Sequence, residues 1–208
     1  SLVFPLLRER VYHSLLSFLI DYIRFLSTDD HPIKNLGSTG RANALNIPVL
    51  YLADHPEIAI SEIRPEKGDH VTVALLEIQR ELKIIDFAGE RPDYAWYFQY
   101  HKLKGDEASY HENDCLVRIG GEFSKALSIS DKTIEYIPTQ VISDFLKHKG
   151  YDGIAYQSQF QVQNNEGLWR NYALFDLDSA NILRRELYEV NSVILHTQKI
   201  EQKNLHRE

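Results

Sequence analysis

The spacing of hydrophobic and polar positions predicts strands alternating with helices. Apolar residues from Leu2 to Leu26 recur at helical spacings, so residues 1–27 read as a helical arm, apolar on more than one face, that packs on the domain or on a partner. Pro5 marks a start or a break in it. Residues 28–40 are turn-rich, and Gly37 and Gly40 flank hydroxyl residues where backbone N–H groups can approach an anion. Residues 47–53 form a short strand opened by Pro48. Pro56 suits the first turn of a helix capped by Asp54 or His55, which carries Ile58, Ala59, Glu62 and Ile63 until Pro65 ends it.

Further along, residues 71–78 and 82–87 are two strands whose Val, Leu and Ile content predicts burial on both faces. Residues 92–119 lack a clear period and read as helix followed by an excursion around Gly105–His111. Residues 138–149 are a helix with Val141, Ile142, Phe145 and Leu146 on its apolar face, stopped by Gly150. Strands at 153–156 and 171–175 flank a polar loop, and residues 182–200 are a last strand and tail.

Composition narrows the setting. The 208 residues are 43% hydrophobic and 25% charged, enough for a real core. A net charge of −7 gives no broad attraction to a nucleic-acid backbone or an anionic membrane, so neither is an expected direct partner. The single cysteine, Cys115, excludes an intrachain disulfide and points to a cytoplasmic setting. No apolar run approaches the roughly 20 residues of a membrane span. Nine histidines occur without H-E-x-x-H or paired cysteines, so no metal is expected. The chain starts at Ser1 and lacks methionine, which suggests a fragment or missing residues.

The chemistry concentrates between Gly40 and Pro65. Arg41 precedes the strand, Tyr51 lies in it, and Glu62 lies on the following helix. Arginine grips phosphate through two N–H groups. A tyrosine ring stacks on a flat heterocycle. A carboxylate holds a ribose hydroxyl or stabilises positive charge at an anomeric carbon. Those tools suit NAD, whose ribose–nicotinamide bond breaks to give an oxocarbenium-like centre and a neutral leaving group. Each residue also has an ordinary alternative: Glu62 on a solvated face beside Arg64, Tyr51 in the core. A second stretch, Gly150 to Ser158, is a helix stop, a turn and a strand ending in Ser158, which suits a hydrogen bond to ribose or phosphate or is a plain strand-end serine. It lacks the Gly-x-Ser-x-Gly context of a nucleophile elbow.

Taken in order, these stretches resemble the RES domain family. Gly40-Arg41-Ala42-Asn43 looks like its G-R-x-N, Val49–Ala53 its L-Y-L-A strand, and Ala59–Pro65 its A-x-x-E-x-R-P helix. Residues 136–158 are similar to the block ending G-x-D-G-I-x-Y-x-S, and residues 170–175 to the N-Y-x-L-F strand. The resemblance spans roughly residues 22–178 and implies a RES domain over 28–208. It implies an α/β (α+β) fold with a split, mixed sheet around an NAD cleft, similar to ADP-ribosyltransferases.

By the same resemblance, Arg41 would grip the phosphates of NAD, Tyr51 would stack at the nicotinamide end, Glu62 would stabilise the ribosyl cation and Ser158 would orient the ligand. Arg64 and Asn171 match subgroup patterns. Tyr22-Ile23-Arg24 is near an upstream Tyr-Arg pair but has one inserted residue, which makes Arg24 a further candidate. The implied activity is that of a bacterial toxin consuming NAD as substrate, by hydrolysis or with phosphate. An antitoxin is the implied partner, and a homo-oligomer is a further possibility. A subgroup carries an N-terminal HEPN-like region, of which residues 1–21 would be a remnant. Arg8 and His13 have the R-x4-H spacing of HEPN ribonucleases, but that domain needs far more chain. Two alternatives stand beside the leading reading. One is a protein ADP-ribosyltransferase using the same cleft. The other is a catalytically silent module that docks a partner.

Overall fold

A computed structural model describes residues 9–12, 16–20, 39–88, 107–125, 132–160, 162 and 168–194. Eight strands form one mixed sheet: β1 (Glu9–Tyr12), β2 (Leu16–Ile20), β3 (Leu50–Ala53), β4 (His70–Ile78), β5 (Leu82–Asp86), β6 (Gly153–Gln157), β7 (Arg170–Leu174) and β8 (Ala180–Glu189). Their order is β1-β5-β6-β7-β3-β2-β4-β8. Among these described strands only β5 and β6 run parallel; the other neighbours are antiparallel. Among the described residues the helices are α1 (Pro56–Glu62), α2 (Glu107–Ser124), α3 (Lys132–Glu135) and α4 (Ile137–His148). The α/β class and the mixed sheet agree with expectation, and β2 joins the two halves into a continuous sheet.

Alternation along the strands builds two cores. Leu50 and Leu52, Leu82 and Ile84, Ala155, Tyr172 and Leu174 share one face, where they meet Ala74, Leu76 and Ile78 of β4. Strands β4 and β5 lie far apart in the sheet order, so that shared cluster means the sheet curls around it. The opposite face of β5, β6 and β7 carries Ile85, Ile154 and Ala173 and packs under Leu116 and Phe123 of α2 and Leu146 of α4. Because β5, β6 and β7 are covered on both sides, they read as nearly continuous apolar runs.

Two expectations need correction. Where the structure describes residues 1–27, it shows strands rather than a helix. β1 pairs with β5, and β2 fills the gap between β3 and β4. A short apolar run such as Leu15–Ile20 fits either state by spacing alone. The open edges of β3 and β4 decide it, because their backbone groups need partners. Arg8, His13, Tyr22 and Arg24 lie outside the described residues. The excursion expected around Gly105–His111 is helical from Glu107 onward, where no glycine or proline interrupts the chain before Gly120. Residues 92–106 lie outside the described residues.

Helix α4 differs in its orientation. Its buried face is Thr139, Ser143 and Leu146, while Val141 and Phe145 face solvent. The helix ends as expected at Gly150, whose φ of +86° is the left-handed turn that glycine makes freely.

Candidate active site

Helix α1 brings the central carboxylate into place. His55 caps it, its Nδ1 accepting from Glu57 N–H, and Pro56 occupies the first turn. Ile58 and Ala59 are buried against Ala53 and Val162, which seats the helix on the sheet. Glu62 then lies about one turn further along, above the ends of β6 and β7. Its Oε1 accepts from Ser158 Oγ at 3.1 Å and from Asn171 Nδ2. Ser158 and Asn171 are both nearly fully buried. Ser158 in turn accepts the Phe160 N–H at 3.1 Å.

The sheet register explains why these residues meet. Ala53, Asn171 and Tyr156 stand side by side on β3, β7 and β6. Ser158 lies two residues beyond Tyr156 and so points to the same face. Asp54 locks the start of β7, because both of its carboxylate oxygens accept the Arg170 N–H, at 3.1 and 3.0 Å, and its own N–H donates back to Arg170. Burial raises the Asp54 carboxyl above the ordinary carboxylate range, with the Arg170 hydrogen bond and charge opposing. The Arg170 guanidinium also reaches the fully buried Asp86, with Nε and Oδ2 3.4 Å apart. Arg170 is therefore an anchor that fixes Asn171, the next residue.

Arg41 is held by a tight turn. Gly40 and Asn43 exchange backbone hydrogen bonds around it. The Tyr51 hydroxyl donates to Asn43 Oδ1 at 2.7 Å and accepts the Ala42 N–H at 2.9 Å. Gly40 must be glycine here: a Cβ would stand 2.4 Å from the Tyr51 hydroxyl and 2.6 Å from Asn43 Oδ1. The Gln140 amide on α4 donates to Thr39 Oγ1, Gly40 O and Asn43 O, clamping the turn from the other side. The Arg41 guanidinium donates from Nη2 to Lys125 O at 2.7 Å, just beyond α2.

These parts share electrostatics. Burial pushes the Tyr156 hydroxyl far above the ordinary tyrosine range, the nearby Tyr51 and Glu62 push the same way, and Arg41 opposes them. Burial also raises the Tyr51 hydroxyl well above its usual range. Both phenols stay neutral at physiological pH.

A cleft of about 690 Å³ opens beside them, lined by Arg41, Glu62, Arg64 and Phe160 together with Val193 and Ile194. Arg64 sits past the end of α1 with a φ of +51°, a left-handed backbone that a side chain rarely adopts. The sequence candidates thus divide. Arg41, Glu62 and Arg64 face the cleft, Ser158 and Asn171 stand behind Glu62, and Tyr51 stands behind Arg41. Sequence reasoning missed Gln140, Tyr156 and Phe160. The last two keep the period-2 spacing of Ser158, which was the available signal; nothing local marks Gln140. Among the described residues, no three His, Cys, Asp or Glu side chains are placed to hold a metal. Among the described residues, no helix is long and apolar enough to cross a membrane.

A model of the RES domain matches residues 21–192. One chain of the crystal structure of the M. tuberculosis MbcT–MbcA toxin–antitoxin complex superposes with a TM-score of 0.47 at 11% identity, covering 88% of each chain. No curated protein matches the sequence.

Proposed function

The chain belongs to the RES domain family, and from that premise we propose that it cleaves the ribose–nicotinamide bond of NAD. One observation carries the reading: the Glu62 carboxylate, bound at Oε1 by Ser158 and Asn171, faces a cleft that it shares with Arg41 and Arg64. The two donors fix the carboxylate without neutralising it. A fixed negative charge is what a ribosyl cation requires. Arg41 and Arg64 complement the diphosphate.

In this reading the C–N bond breaks and its electron pair goes to the ring nitrogen, so that nicotinamide leaves neutral and needs no general acid. The ribosyl carbon becomes an oxocarbenium centre beside Glu62. Attack by water gives ADP-ribose and releases a proton; attack by phosphate gives the corresponding phosphate ester. We carry both acceptors as proposals, together with a toxin role and an antitoxin partner, on the strength of the family resemblance.

The test is nicotinamide release by the purified chain, with and without phosphate, with products separated by mass. Glu62→Gln keeps an oxygen for Ser158 and Asn171 but removes the charge. Turnover is expected to fall by about 100-fold or more, the scale of losing an electrostatic stabiliser, with NAD binding largely kept. Turnover at the wild-type rate would remove Glu62 from the mechanism.

A further inference from the structure

We propose that Phe160, not Tyr51, seats the pyridinium ring of the substrate. This rests on the reading that the cleft takes NAD. Among the described residues Phe160 is the one aromatic side chain that lines the cleft. The Tyr51 hydroxyl is committed to Asn43 and Ala42, and its ring does not line the cleft.

Position favours the same end of the ligand. Phe160 N–H donates to Ser158 Oγ, and Ser158 Oγ donates to Glu62 Oε1, so two hydrogen bonds connect the Phe160 backbone to the carboxylate. The ring nitrogen of nicotinamide is bonded directly to the carbon that Glu62 serves. The ring that leaves must therefore lie beside Glu62, in the cleft that Phe160 also lines. The Phe160 side chain also packs on the cluster of Ala53, Ile58, Ala59 and Val162, which fixes its orientation. A rigid flat surface loses little freedom on binding.

The charge of the ligand supplies the specificity. The pyridinium of NAD is a cation, and an aromatic face attracts a cation through its quadrupole. The reduced dinucleotide has a neutral ring and lacks that attraction. So does free nicotinamide, which would aid its departure after the bond breaks. Phe160 would then select the oxidised form, the form whose ring is a good leaving group.

The test compares binding of NAD and NADH by calorimetry in Glu62→Gln, where turnover is suppressed, and in Glu62→Gln with Phe160→Leu added. Leucine retains the packing and removes the aromatic face. The expected result is an NAD affinity about two- to thirty-fold weaker, the range that cation–π attraction spans, with a smaller change for NADH. Phe160→Trp in the same background should restore the preference. An equal loss for both dinucleotides, or no loss, overturns the assignment of Phe160 alone. If Glu62→Gln binds neither dinucleotide and the wild type releases no nicotinamide, the NAD reading falls and this one with it.

Discussion

Replacing Tyr51 with phenylalanine separates its ring from its hydroxyl, and the structure makes the hydroxyl decisive. It accepts the Ala42 N–H and donates to Asn43 Oδ1, and Ala42 and Asn43 are both buried. Burial keeps the hydroxyl neutral, so these are ordinary neutral hydrogen bonds. Two such bonds contribute about 1–3 kcal/mol together, more where a buried group loses its partner. For a chain of this size each kcal/mol shifts the melting temperature by about 2–4 °C. The same bonds fix the turn that carries Arg41, and a displacement of about 1 Å at a binding group can cost up to roughly 100-fold in rate. Tyr51→Phe should therefore melt several degrees lower and release nicotinamide at least about tenfold more slowly. ADP-ribose affinity should weaken with it, because the proposed phosphate grip of Arg41 is what moves. If Tyr51 instead acted through its ring, phenylalanine would serve as well. A Tyr51→Phe protein with the melting temperature and turnover of the wild type would refute the positioning argument.

Two further outcomes follow from the same geometry. Arg64→Gly removes the cost, about 1 kcal/mol, of holding an ordinary residue in a left-handed conformation, while glycine frees the unfolded chain by a similar amount. The melting temperature should thus hardly change, while the KM for NAD rises about tenfold through loss of the proposed phosphate contact; a large drop in melting temperature with KM unchanged would contradict this. Asp54 has its carboxyl raised above the ordinary 3.8 by burial, so the folded state holds its proton more tightly than the unfolded state does. Such a group reduces stability as pH rises through the window above 3.8. Urea unfolding should show Asp54→Asn gaining on the wild type as pH rises through that window. A stability difference independent of pH would contradict the shift.

Much of the site was legible because its residues sit on short, strongly patterned elements. Pro56, the apolar pair Ile58 and Ala59, and Pro65 bracket α1 and so place Glu62 at its end. Period-2 alternation puts Ser158 and Asn171 at the ends of buried strands. Residue types then supply the chemistry. The N-terminal segment was misread for a physical reason: a short apolar run carries no spacing that separates helix from strand, and β2 is a strand because β3 and β4 leave hydrogen-bonding edges on either side. That information lies some 30 to 60 residues away in the chain.

Tyr51 shows the limit most clearly. Its type suits a stacking role, and its strand lies beside the cleft, so the sequence supports that reading. What favours a positioning role instead is a contact with Asn43 that the Gly40 turn permits, because any larger residue at 40 would collide with the hydroxyl. Gly40, Asn43, Tyr51 and Gln140 therefore act as one unit whose product is the position of Arg41. Seen this way, G-R-x-N is a structural motif as much as a chemical one: three of its parts hold the turn, and the arginine alone lines the cleft.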